Sequence, residues 1–255
     1  MSAIRAPLIA LVAIGLVAGF LSGLFGVGGG IIVIPALLLL GYDQRRAAGT
    51  SVAAILPTSI VGSIGYAVVG HIDWLAGIAL AVGVVAGAQL GSLLLARLPQ
   101  TALSWSFLTF LLFSAATLWL SLPSRDDSIT VTGWTFFALV GAGVVAGALS
   151  GVLGVGGGII VVPVLMFFFN ASDLIAKGTS LAMMIPGSIS ATLGNLRRTS
   201  VDLRGGLCIG IAACAASPAG ILTATAITPL LSNIAFSVLL AAIIVPLAVR
   251  IRRRR

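Results

Sequence analysis

Two runs of three glycines, Gly28-Gly29-Gly30 and Gly156-Gly157-Gly158, are the residues whose type and spacing point most directly to chemistry. Consecutive glycines carry the largest backbone entropy cost in a helix, so each run breaks the apolar segment that contains it. The helix that restarts after each break, near Ile31 or Ile159, opens with N–H groups lacking an intrahelical acceptor and with a partial positive charge. The preceding glycines let further N–H groups converge in a concave array. That arrangement suits reversible binding of an anion. The same glycines would also serve tight packing of a hairpin, and the sequence leaves both readings open.

Hydroxyls recur at fixed distances behind the breaks. Thr50-Ser51 in one copy and Thr179-Ser180 in the other fall near the start of the next apolar segment, followed by Pro57 and Pro186. On a helix, Thr50, Ala54, Pro57, Val61 and Gly65 form one stripe, matched by Thr179, Met183, Pro186, Ser190 and Gly194. The hydroxyls could donate to oxyanion oxygens, and each proline removes a backbone hydrogen bond and kinks its span. The alternative is that Ser and Thr satisfy carbonyls of their own helix while the prolines shape the bundle. Asn195, an amide near a helix end, is a weaker candidate.

Other chemistries find less support. Gly26-x-Gly28-x-Gly30 lacks the spacing of a dinucleotide fingerprint and follows no strand. Cys208 and Cys214 lie six residues apart, on different faces of a helix, with His71 as their sole soft partner, so no metal site is expected. The chain has no glutamate, and no Asp, Lys or Arg falls near the middle of an expected span. A proton relay or buried counter-ion normally needs such a charge. Without a convergent nucleophile and base, the expectation is a protein that is not an enzyme and has no cofactor.

The elements that carry these residues are membrane-embedded. Apolar residues make up 59% of the 255 and charged ones only 8%, a share too small to cover a soluble domain of this length. Mean hydropathy is +1.21. The net charge of +8 has no aromatic interleaving and collects between apolar runs and in the arginine-rich tail, which argues against nucleic acid and for membrane orientation. Apolar segments are expected at 7–25, 31–41, 47–70, 74–96, 101–121, 133–153, 159–169, 174–195, 203–225 and 228–249.

These segments form two copies of one unit. Residues 19–35 and 147–163 agree at thirteen of seventeen positions, and the match continues through Pro57 with Pro186, Asp73 with Asp202 and Gly91 with Gly220. The leading apolar run is therefore not expected to be a cleaved leader, since its second half recurs internally. Small residues every four positions (Gly15, Gly19, Gly23; Gly143, Gly147, Gly151) let helix backbones approach closely in lipid.

From Pro7 to Gly41 a continuous helix would extend ~50 Å against a ~30 Å hydrocarbon core. One crossing is too few, so the stretch reads as a hairpin with a short second helix that enters and leaves on one face. The expected fold class is an all-α polytopic integral membrane protein of two inverted repeats, each a broken helical hairpin plus three transmembrane helices. The halves are 1–122 and 133–255, joined by a linker at 123–132. On that topology twelve arginines share one face (Arg5, Arg45, Arg46, Arg97, Arg197, Arg198, Arg204 and five from Arg250), leaving Arg125 and Lys177 on the other. The positive-inside rule then puts both termini in the cytoplasm.

At the paired motifs, Gly26-Val27-Gly28-Gly29-Gly30 with Pro35 and Gly49-Thr50-Ser51 with Pro57, and their copies Gly154 to Gly158 with Pro163 and Gly178-Thr179-Ser180 with Pro186, the chain resembles the sulfite exporter TauE/SafE-like permeases. The resemblance covers residues 8–98 and 136–249. It implies transport of small inorganic or organic sulfur oxyanions (sulfite, sulfonate or sulfoacetate), commonly outward, across a bacterial cytoplasmic membrane. The reading is a secondary carrier working by alternating access. Its proposed contacts are Gly28, Gly29, Gly30, Thr50, Ser51, Gly156, Gly157, Gly158, Thr179 and Ser180, with Pro57 and Pro186 as kinks. The expected partners are the anion and the lipid bilayer, with no nucleic acid. A passive small-anion channel and a non-transporting membrane partner of a sulfur-metabolism complex are the rival readings.

Overall fold

A computed structural model describes residues 7–117, 133–198 and 201–253. Among them every regular element is an α-helix: α1 (Leu8–Phe25), α2 (Gly30–Leu39), α3 (Gln44–Val68), α4 (Trp74–Arg97), α5 (Gln100–Thr117), α6 (Gly133–Leu153), α7 (Gly158–Phe168), α8 (Asp173–Arg198), α9 (Leu203–Ala226) and α10 (Pro229–Arg253). The expected linker at 123–132 lies outside the described residues. Two series of five result, each with a short second member. Among the described residues six helices, α1, α3, α4, α6, α9 and α10, are long and apolar enough to cross a membrane. At ~1.5 Å per residue α2 and α7 extend only ~15 to ~17 Å, about half of the ~30 Å hydrocarbon core.

The ends of the helices follow from local sequence. Gly26 and Gly154 close α1 and α6 in the left-handed region, at φ 70° and 75°, and donate their N–H groups to Ser22 and Ser150 carbonyls. Such a backbone is costly for any residue with a Cβ. Asp43, Asp73 and Asp202 cap α3, α4 and α9, their carboxylates accepting from the N–H groups of Arg46, Ala76 and Gly205.

Small residues determine which helices meet. Along α1, Gly15, Gly19 and Gly23 lie against Ile209, Ala213 and Ser217 of α9, so the two helices run parallel. Along α4, Gly83, Gly87 and Gly91 lie against Val140, Val144 and Ala148 of α6, again in parallel. In lipid this close backbone approach supplies the dispersion contacts that water exclusion supplies elsewhere. Helix α3 follows α9 in parallel, Thr50 beside Gly206 and Ala54 beside Gly210, while α8 follows α4 through Thr179 beside Gly77 and Gly187 beside Val84. Helices α3 and α8 lie antiparallel at the centre: Gly62 faces Leu181 and Tyr66 faces Gly178.

These directions gather the starts of α3 and α9 and the ends of α4 and α8 at one end of the bundle, with Arg45, Arg46, Arg97, Arg197 and Arg204. The Arg45 guanidinium donates to the Leu98 carbonyl at 2.6 Å there. The opposite end carries Trp74 and Trp134, 61% and 83% exposed, as an interfacial aromatic belt would place them.

A Cβ at Gly87 has no room beside the Val144 carbonyl, whereas Gly141 faces open space. Gly87→Leu is expected to lower the melting temperature in detergent by an amount corresponding to about 1–3 kcal/mol of overpacking. Gly141→Leu should leave it unchanged.

Candidate functional site

The two glycine breaks meet each other. A Cβ on Gly30 would lie 2.7 Å from the Gly154 carbonyl oxygen and 2.8 Å from Val155 Cα; one on Gly158 would lie 2.6 Å from the Gly26 carbonyl oxygen and 3.0 Å from Val27 Cα. The crossing falls at mid-length of α3 and α8, where Ile55 and Met184 both abut Gly28 and Gly156. Ile55 and Met184 are buried and fill the space between the breaks, so the crossing itself is closed in this conformation.

Both breaks are buried along their length. In the first, Ile32 and Val33 donate to the Gly29 carbonyl, and in the second Ile160 and Val161 donate to Gly157. Among the described residues, the N–H groups of Val27 to Ile31 and of Val155 to Ile159 donate to no backbone carbonyl. A buried donor without an acceptor is costly, and a ring of them favours negative charge nearby.

The serines bridge the two halves. Ser51 on α3 donates its hydroxyl to the Gly154 carbonyl at 2.7 Å, and Ser180 on α8 donates to the Gly26 carbonyl at 2.5 Å. Each hydroxyl thus satisfies the carbonyl that ends a helix of the other half. Thr50 and Thr179 sit one residue earlier, and their oxygens accept the N–H groups of Asp202 and Asp73 at 3.0 Å. The threonines therefore anchor the capping loops of α9 and α4, also across halves. Glycines and serines come together at the crossing, whereas the threonines lie toward opposite ends of the bundle. Thr58 takes the local alternative, donating to the Ala54 carbonyl of its own helix. Pro57 and Pro186 lie inside α3 and α8, Pro57 packing against Gly210 of α9. Asn195 is fully buried.

Beside the crossing is a small cavity with room, about 20 Å³, for roughly one water. Val27 of the first break and Ile159 at the start of α7 form its inner wall; Asp173, Lys177, Ser232 and Asn233 supply its polar lining. The Lys177 ammonium donates to Asp173 Oδ2 at 3.2 Å and to Ser232 Oγ at 3.0 Å. Lys177 and Asp173 are only 4% and 3% exposed. The sequence reading leaves Lys177 on the face opposite the arginines; the structure places it toward that end of the bundle but inside it, paired with Asp173 at the head of α8. The available signal was their i,i+4 spacing at the head of α8, which lets one charge neutralise the other inside a span.

At the arginine-rich end, Tyr42 donates to Asp202 Oδ2 at 2.7 Å, Arg46 stands 3.6 Å from the same oxygen, and the Arg46 guanidinium stacks 4.8 Å over the Tyr42 ring. Burial acts to raise the Asp202 pKa, but the Gly205 N–H, the Tyr42 hydroxyl and the Arg46 charge outweigh it and hold the group below its ordinary value. Burial, followed by the bond to Asp202, pushes Tyr42 up to about 12. A lowered carboxylate contributes stability above its unfolded pKa, about 4, and loses it as the pH falls through the lowered value. Tyr42→Phe removes one of the bonds that lower it. Acid titration of the melting temperature should then show a smaller acid-induced loss than in the wild type, one that is complete at a higher pH.

Comparison with known proteins matches residues 2–118 and 139–255 to the family described as Sulfite exporter TauE/SafE. Among relatives, the "Probable membrane transporter protein YunE" of Bacillus subtilis is 26% identical over 73% of this chain and 77% of its own length. A "Probable membrane transporter protein" of Haemophilus influenzae is 31% identical over 60% of each chain. One of the same name from Xylella fastidiosa (strain 9a5c) is 31% identical over 72% of each. No solved structure matches the chain.

Proposed function

The chain belongs to the sulfite exporter TauE/SafE family, a family of membrane transporters, and on that premise we propose that it is a secondary carrier for small sulfur oxyanions of the sulfite, sulfonate or sulfoacetate class. It works as an exporter by alternating access in a bacterial cytoplasmic membrane. The observation that carries this reading is the meeting of two broken helices, with ten buried N–H groups donating to no backbone acceptor, at mid-length of the two central helices. A soluble anion crossing hydrocarbon needs donors in place of its hydration shell, and these are donors without fixed charge.

In this reading the halves are inverted repeats. The antiparallel setting of α3 and α8 and the parallel setting of α1 with α9 and of α4 with α6 support it, because helices in equivalent places of the two halves then point opposite ways. The gathering of arginines at one end supports a cytoplasmic position for that end and for both termini. Closure of the crossing by Ile55 and Met184 supports an occluded state of a carrier over an open conduit. The serine bridges between halves are the contacts that a change of access has to loosen, and on release Ser51 and Ser180 become donors for the solute.

Purified protein in liposomes should take up sulfite with saturable kinetics and accelerate exchange when unlabelled sulfite is present on the far side. Linear, electrically conductive flux without counterflow would replace the carrier by a channel. Gly29 and Gly157 adopt φ 75° and 80°, and the Gly29 alpha carbon faces the Ala18 carbonyl. Gly29→Leu or Gly157→Leu should abolish flux in protein that still reaches the membrane. Undiminished flux would remove the breaks from the mechanism.

A further inference from the structure

We propose that Lys177 is the charge that recognises the transported oxyanion, and that Asp173 is an internal counter-ion whose place the anion takes. This rests on the oxyanion-carrier reading above and adds to it the residue that selects for charge.

The two halves provide their own control. Gly26 packs on the backbone and stem of Lys177 as Gly154 packs on Ala48, and the same offset pairs Asp173 with Gln44. Gln44 and Ala48 are as buried as their counterparts, at 5% and 0% exposed. The fold is thus built at this place in the first half without any charge, and the ion pair of the second half is surplus to packing. A buried ion pair is seldom a net source of stability compared with neutral groups of similar volume. In a membrane-embedded bundle it is a marker of function.

The surroundings of Lys177 suit an anion. Ser232 and Asn233 contribute hydroxyl and amide groups, and Ile159 brings the start of α7, where N–H groups have no backbone acceptor. Asp173 lies in the first turn of α8, so the field of that helix stabilises its carboxylate when Lys177 turns to another partner. That field offsets part of the cost of parting Asp173 from Lys177. The cavity in its closed form holds about one water, so admission of an oxyanion requires its outer wall to withdraw. That wall is α10, held by the Phe236 ring against Phe25 with centroids 4.8 Å apart. Val27 and Ile159 line the same cavity, which puts the charge directly beside the breaks.

The test compares wild type, Asp173→Asn, Lys177→Arg and the doubly neutral Lys177→Gln/Asp173→Asn, each in detergent and in liposomes, with sulfite as probe. Asp173→Asn leaves Lys177 without its carboxylate: its KM for sulfite should fall severalfold, and sulfite should raise its melting temperature more than that of the wild type. The double variant keeps charge balance and should fold. Its KM should rise about tenfold or more, the loss of one charge-assisted hydrogen bond. Lys177→Arg should keep most of the affinity. If wild type transports sulfite and the folded double variant does so with the same KM, Lys177 is structural and the proposal falls while the carrier reading stands. The proposal falls equally if Asp173→Asn binds sulfite more weakly than wild type. If wild type moves neither sulfite nor a sulfonate, both readings fall together.

Discussion

A helix that stops inside hydrocarbon leaves carbonyls and N–H groups that water cannot reach, and each must find a partner in the protein or in a solute. Here the carbonyl that ends α1 accepts from Ser180 of the second half, and the carbonyl that ends α6 accepts from Ser51 of the first. Neither half can close its own break. This reciprocal debt holds the two five-helix units face to face, fixes α3 against α8, and brings the glycine backbones to within contact of each other. The helix pairs α1 with α9 and α4 with α6 then complete the shell through their small-residue stripes. The carbonyl side of each break is met in this way by side chains, while the N–H side meets no backbone acceptor among the described residues.

Much of this was legible in the chain. Gly28 to Gly30 and Gly156 to Gly158 announce broken spans because no comfortable helix tolerates three glycines, and the helices end and restart within a residue or two of the expected places. Repetition of the 19–35 stretch at 147–163 gives the five-plus-five arrangement. The roles of the hydroxyls were harder to read. Sequence places Ser51 on a face of α3, but nothing local says that a carbonyl from a residue more than a hundred positions away lies opposite it. The same holds for Thr50 and Thr179, which look like solute donors in isolation and prove to anchor capping loops. The burial of Lys177 and Asp173 was hidden for a related reason. They lie at the head of a span, where charges usually face water, and the packing of α1, α7 and α10 around them makes the place internal.

The two halves differ where a perfect duplicate would be least useful. A symmetric site made of backbone donors binds any small anion of the right size, and its two access routes are equivalent. On the carrier reading, an ion pair at this place in one half, with Gln44 and Ala48 standing in the other, would give the site a preferred side and a defined charge requirement. It stands nearer the end that carries Trp74 and Trp134, beyond the crossing as seen from the arginine-rich end. Breaks, serine bridges and cavity wall are contiguous, so a movement of α10 and a loosening of the bridges can be parts of one transition.

The claim on which all of this depends is that the hairpins enter from opposite sides of the membrane. In a Cys208→Ser/Cys214→Ser background, single cysteines at Asp43, in the turn between α2 and α3, and at Asn170, in the turn between α7 and α8, can be treated on intact cells with a membrane-impermeant thiol reagent; both positions are exposed. The account predicts that Asn170→Cys reacts in intact cells and Asp43→Cys only after lysis. Reaction of both from the same side would contradict it.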